Sequence, residues 1–193
     1  TVRREDIKGV GGNGLKLIAG EQIDVGLLLS GTMVVSANDG AAVLAHEVAG
    51  SQSAFADMMN AKAKELGCTD SNFVNPHGLH HRDHYSTCYD IAKIAMYGMK
   101  NEVFRRIVSR SEFTIPGTNK AGDRKVKSTN LLLYDTSSAN KVTVNGEVRT
   151  CKYDGCIGIK TGSTPQAGGC LCSAVTRDGT TLLCVVMSSS EMG

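Results

Sequence analysis

The chain changes its hydrophobic period partway along. Up to about residue 108 the apolar residues recur at helical spacing, and from Ser111 onward the texture is that of strands. In the first half, the apolar run Leu27 to Val35 leads into Ser36-Ala37-Asn38-Asp39-Gly40, and Ala41 to Val48 forms an alanine-rich helix ending at Gly50. Ser51 is placed to cap a second helix, with Phe55, Met58, Met59 and Leu66 on one face, Lys62 interrupting the stripe and Gly67 as its stop. Thr87 followed by Asp90 resembles a capping box for a helix that buries Ile91, Ile94, Ala95 and Met99, and Val103 to Val108 forms another. In the second half, Asn145-Gly146 between two β-prone runs predicts a tight hairpin. Gly158 to Gly162, Gly169 to Val175 and Thr180 to Ser188 predict three further strands, the last two joined at Arg177-Asp178-Gly179. Helices first and antiparallel strands last, without internal repeats, predict an α+β layered fold. At 193 residues the chain has room for one domain, 1–193.

Several function classes drop out early. A formal net charge of +2 is too small to argue for a nucleic-acid or membrane partner. Arg124-Lys125-Val126-Lys127, the one short basic cluster, is expected to be a solvated turn. No apolar run approaches a membrane span in length, and Thr1 does not open a signal peptide. The cysteines at 68, 88, 151, 156, 170, 172 and 184 contain no C-x-x-C pair, which disfavours zinc ribbons and thioredoxin-like chemistry. Cys172 and Cys184 lie in strand runs where a buried thiol is expected. His80, His81 and His84 have no acidic or cysteine partner at tetrahedral-site spacing, and His46-Glu47 meets Gly50 where a zincin needs its second histidine. No metal and no cofactor are expected. Gly11-Gly12-Asn13-Gly14 is expected to be a flexible turn, since no Lys-Ser/Thr pair follows as in a phosphate loop.

Two short motifs carry chemistry. Ser36-Ala37-Asn38 is an S-x-N between an apolar run and a helix, and Lys160-Thr161-Gly162, followed by Ser163, lies on an apolar strand. Each triplet alone is weak, and a helix N-cap accounts equally well for Ser36 or Asn38. Their order and placement together form the signal.

The likeness extends past the triplets, to Phe73-Val74-Asn75-Pro76-His77-Gly78-Leu79, to His84-Tyr85-Ser86-Thr87 with Asp90, and to Asp154-Gly155-Cys156-Ile157-Gly158-Ile159 leading into Lys160. With these runs the chain resembles the low-molecular-mass serine D-alanyl-D-alanine carboxypeptidases of the penicillin-binding proteins. The resemblance implies a β-lactamase/DD-peptidase-like antiparallel sheet flanked by helices. It implies an acyl-enzyme that removes the terminal D-alanine of peptidoglycan stem peptides and is blocked by β-lactam antibiotics, working outside the cytoplasmic membrane. By resemblance, Ser36 and Asn38 line one wall, relaying protons and holding the substrate amide. Lys160, Thr161 and Ser163 face the terminal carboxylate, and Gly162 leaves room for close approach. His77 is expected to organise its loop.

The third motif of the family, S-x-x-K, supplies the attacking serine and its lysine base. In this chain it occurs only as Ser138-Ala139-Asn140-Lys141, beside the hairpin signal and not at a helix start, where the two side chains would not share a face. The nucleophile is therefore expected upstream of Thr1, and membrane attachment only through segments not in this sequence. Thr1 to Asp6 and the strand Leu182 to Met187 both read as interior pieces of a longer domain. A class A β-lactamase, whose middle motif has aspartate where Ala37 stands, and a non-catalytic peptide-binding relative are the competing expectations.

Overall fold

Side-chain and backbone caps bound the helices of the first half, four of them where the sequence places them, while the apolar run before Ser36 and the segment after Arg3 are helical as well. A computed structural model describes residues 1–190, in which α1 (Arg4–Ile7), α2 (Val25–Val35), α3 (Asn38–Ala49), α4 (Gln52–Glu65), α5 (Cys88–Gly98) and α6 (Glu102–Val108) precede the strands. Asp24 opens α2 by accepting the Leu27 N–H at 2.9 Å, and Ser51 opens α4 by accepting that of Ala54 at 3.0 Å. Thr87 opens α5 through the Asp90 N–H at 3.1 Å, but the reciprocal half of the expected capping box is not built. The buried Asp90 carboxylate instead accepts from the Asp70 N–H and the Ser71 hydroxyl, tying the preceding loop to α5. On α4 the residues driven inward are Ala56 and Ala63, whereas Met58 is half exposed.

The strands form three antiparallel groups. β1 (Glu112–Ile115) pairs with β2 (Arg124–Lys127), and β3 (Lys141–Val144) with β4 (Glu147–Thr150). The β3–β4 turn is the expected Asn-Gly one, with Asn145 and Gly146 at φ 52° and 81°. β5 (Cys156–Thr164), β6 (Gly168–Arg177) and β7 (Thr180–Ser189) form one sheet in that order, with Lys160 opposite Cys172 and Gly162 opposite Cys170. The basic cluster expected as a solvated turn is β2 itself. Val126 is buried, and Arg124 clamps the fully buried Glu21, an arrangement that net charge and local pattern do not reveal. Cys172 is buried as expected, but Cys184 lies on the exposed face of β7.

Two apolar cores meet at α2. Val34 and Leu28 join Val2, Leu15, Leu17, Ala37, Val43, Ile115 and Val126 in the first core. Met33 packs on the second, built from Ala95, Val108, Ile159, Cys172 and Ala174. The C-terminal end of α2 is thereby held between the first core and the β5–β7 sheet. Two glycines permit the close contacts. A Cβ on Gly40 would lie 2.1 Å from the Thr32 hydroxyl, so α3 can leave α2 at short range. Gly158, at φ 127°, sits where a Cβ would come within 3.0 Å of Val108, at the register shift between Cys156 and Ile159 in β5. Among the described residues no helix is long and apolar enough to cross a membrane.

Candidate functional site

Ser36 is not a helix N-cap. It ends α2 in the left-handed conformation (φ 62°, ψ 48°), its N–H closing on Thr32 O, while α3 starts after Ala37 with no side-chain cap. A non-glycine residue in that region is uncommon, and here it turns the serine side chain toward β5. The Ser36 hydroxyl accepts a 2.6 Å hydrogen bond from Lys160 Nζ. Lys160 also donates to Thr161 O at 2.8 Å. Burial pushes the Lys160 ammonium down to about 8, well below the ordinary lysine value.

Asn38 is the first residue of α3 and is buried. Its backbone N–H donates to Asn13 O at 2.8 Å and its Nδ2 to Gly11 O at 2.7 Å. A carbonyl oxygen only accepts, so this contact fixes which end of the amide is the NH2 group. The glycine-rich stretch expected as a flexible turn is thus the bracket that holds Asn38.

Thr161 shares a 2.5 Å hydroxyl–hydroxyl hydrogen bond with Thr129. The Thr129 N–H donates to Val34 O in the last turn of α2 at 3.2 Å. Thr129 therefore splices the serine-bearing helix to the lysine-bearing strand. Farther along β5, Gly162 and Ser163 are exposed. A Cβ on Gly162 would meet only an ordinary contact, the Cys170 Cβ at 3.8 Å, so packing within the chain does not demand glycine there. The outer edge of β5 is the side away from β6, the position from which an extended peptide can add to the sheet.

The structure brings Ser36, Lys160 and Thr161 together and fixes Asn38 two residues from Ser36. Ser138 lies on an exposed bend and Lys141 opens β3, so the S-x-x-K spelling at these positions does not form one helical face. The histidines act within their own loops: His77, His81 and His84 each accept a backbone N–H through Nδ1, from Leu79, Asp83 and Val74 respectively. Burial pushes the imidazoles of His77 and His84 toward the neutral form. His46 pairs with Asp6 at 2.6 Å. Thr129, Gly11 and Asn13 have no motif of their own to announce them.

The family described as D-alanyl-D-alanine carboxypeptidase matches residues 5–191 of the sequence. A Streptomyces D-alanyl-D-alanine carboxypeptidase is 34% identical over 186 residues, covering 91% of this chain and 58% of that protein. The carboxypeptidase DacF of Bacillus subtilis is 32% identical over 96% of this chain and 43% of its own length. The chain therefore spans about half the length of these relatives. Among solved structures, a Streptomyces DD-transpeptidase superposes with a TM-score of 0.82 at 31% identity, over 99% of this chain and 71% of that one. A Mycobacterium tuberculosis D-alanyl-D-alanine carboxypeptidase gives 0.80 at 29% identity, over 96% of this chain and 63% of that one.

Proposed function

The chain belongs to the D-alanyl-D-alanine carboxypeptidase family, and from that premise we propose that it supplies the S-x-N and K-T-G walls of a serine acyl-transfer site. In this reading the complete site cleaves the terminal D-alanine from peptidoglycan stem peptides outside the cytoplasm, and penicillins block it by acylating the same nucleophile. The observation that carries the reading is the 2.6 Å hydrogen bond from Lys160 Nζ to Ser36 Oγ, which unites the two motifs.

The chemistry follows from what each group can donate. A serine supplied from outside these 193 residues attacks the carbonyl of the penultimate D-alanine, forms an ester, and expels the terminal D-alanine as its amine. That amine needs a proton. Lysine ammonium can only donate, so its bond to a lone pair of Ser36 leaves the serine's own O–H free to point elsewhere, toward the leaving nitrogen. The attacking serine's own proton passes to the S-x-x-K lysine, which returns it to Ser36 once Ser36 has protonated the amine, so Lys160 keeps its proton throughout. Its positive charge, with the Thr161 and Ser163 hydroxyls, attracts the terminal carboxylate, while the Asn38 amide holds the substrate amide. Gly162 lets the peptide approach the β5 edge. Water then hydrolyses the ester and frees the shortened peptide.

Ala37 favours this reading over a class A β-lactamase. It is 1% exposed within the first core and stands where the β-lactamase motif carries aspartate. The test joins an S-x-x-K-bearing segment of a relative to this chain and supplies N-acyl-L-Lys-D-Ala-D-Ala. Release of D-alanine, abolished by penicillin, is expected; rapid hydrolysis of penicillin without D-alanine release would replace the reading with the β-lactamase one.

A further inference from the structure

We propose that Asp39, the residue after the S-x-N triplet, is a positioning residue that sets the Asn38 amide through the Gly11–Leu17 segment. The inference rests on the reading of Asn38 as a substrate-facing amide. Asp39 is buried at the start of α3. Its Oδ1 accepts the N–H groups of Leu15 at 2.9 Å and Gly40 at 2.8 Å, and its Oδ2 accepts that of Leu17 at 3.0 Å. Hydrogen bonds to an ionised carboxylate are about twice as strong as neutral ones, and an acid in the first turn of a helix also opposes the helix dipole favourably.

The clasped segment is the one that holds Asn38. Just ahead of Leu15 and Leu17, Asn13 O accepts the Asn38 N–H and Gly11 O accepts its Nδ2. Asn38 and Asp39 thus grip a single loop from adjacent positions, one through its carbonyls and one through its N–H groups. The fit is tight. A Cβ on Gly14 would lie 2.9 Å from Asp39 Oδ2, and one on Gly12 would lie 2.6 Å from Asn38 Nδ2. Without the carboxylate the Leu15 and Leu17 N–H groups lose their acceptor, the loop can withdraw, and the Asn38 amide loses the carbonyl that orients it. Leu15 and Leu17 also belong to the first core, so loss of stability alone would not identify a positioning role.

The experiment uses the 15N-labelled chain with Asp39→Asn, Gly14→Ala, Asn38→Ala and the Asn38→Ala/Asp39→Asn double variant. N-acyl-L-Lys-D-Ala-D-Ala is the non-covalent probe. In Asp39→Asn one of the two accepting oxygens becomes an NH2 group, so at least one of the Leu15 and Leu17 amides should exchange about tenfold faster or more, the scale of losing a hydrogen bond to a charged group, while β6 amides keep their protection. The Asn38 Nδ2 resonances should move toward solvent-exposed values. Peptide affinity should fall by about the same factor as in Asn38→Ala, roughly tenfold, and the double variant should be no weaker than Asn38→Ala alone. Unchanged Leu15 and Leu17 exchange, unchanged Asn38 side-chain signals, or additive losses in the double variant would each overturn the proposal. Gly14→Ala keeps the carboxylate and crowds the clasp from the other side. If Asp39→Asn loses protection throughout, Gly14→Ala decides by the same exchange and Asn38 signals. If Asn38→Ala binds peptide as the parent chain does, the substrate-facing role of Asn38 falls, and the exchange and side-chain signals still decide whether Asp39 sets that amide.

Discussion

The ammonium of Lys160 donates a 2.6 Å hydrogen bond to the hydroxyl of Ser36, across 124 positions of sequence. Neither residue is placed by its own neighbours alone. Ser36 reaches the contact because it ends α2 in a left-handed conformation, and Lys160 because β5 is anchored through Thr161 and Thr129 to that same helix. The contact therefore reports on the assembly of both cores.

Lys160→Ala removes a cation that the proposed chemistry uses on a developing charge. In a protein carrying the S-x-x-K serine, acylation by penicillin should slow on the order of a hundredfold or more, the scale of losing one pre-set electrostatic contact. The fold should persist, because Lys160 is opposite Cys172 in a ladder that backbone bonds maintain. Stopped-flow acylation together with circular dichroism checks both halves; near-normal acylation would show that the lysine has been given the wrong role.

The displaced titration of Lys160 gives a pH dependence. Burial lowers its value to about 8, so the ammonium that attracts a carboxylate is present below that pH and is lost as pH rises through it. Non-covalent affinity for N-acyl-L-Lys-D-Ala-D-Ala should be flat near neutrality and decline above about pH 8. Lys160→Arg, whose guanidinium stays charged, should remove that decline. An affinity that stays level to pH 10 in the parent chain would contradict the assignment.

Glu21 and Arg124 predict a stability effect away from the site. The Glu21 side chain is fully buried and accepts from Arg124 through both oxygens, at 2.6 and 2.8 Å, with Ile18 N–H and the Thr118 hydroxyl completing its partners. Burial pushes its carboxyl up, but the bonds from Arg124, Ile18 and Thr118 outweigh that and hold it below its ordinary value. A depressed carboxylate stabilises the fold above its unfolded value, and the contribution is lost as pH falls through the folded one. Glu21→Gln should cost about 3 kcal/mol at neutral pH by stranding a buried charge, and should remove this part of the acid sensitivity. Urea melts at pH 7 and pH 4 measure both; equal stability of the two proteins at pH 7 would refute the clamp.

Much of the architecture is legible in the sequence because it depends on short-range chemistry. Ser51 and Thr87 cap helices, Gly50 and Gly67 end them, and Asn145-Gly146 turns a hairpin, each through contacts within a few residues. Lys160-Thr161-Gly162 and Ser36-Ala37-Asn38 are visible as motifs because their order is a signature. What sequence reasoning misses are contacts made across the fold. Arg124 looks like part of a solvated cluster until Glu21, 103 positions away, is seen buried against it. Gly11 to Gly14 look flexible because the groups that fix them, Asn38 and Asp39, lie on α3. Thr129 has no local signal, since its two partners sit on α2 and β5. Met58 is apolar at helical spacing and still half exposed, as the inward face of α4 is made by smaller alanines.

Peptide mapping by mass spectrometry after incubation with penicillin, on this chain preceded by an S-x-x-K-bearing segment of a relative, decides which serine attacks. A free serine hydroxyl is a weak nucleophile without an adjacent base, and Ser36 faces a lysine that donates to it. One covalent adduct is expected, on the S-x-x-K serine, with Ser36 and Ser138 unmodified. A stoichiometric adduct on Ser36, on Ser138 or on any other serine of these 193 residues would contradict that assignment.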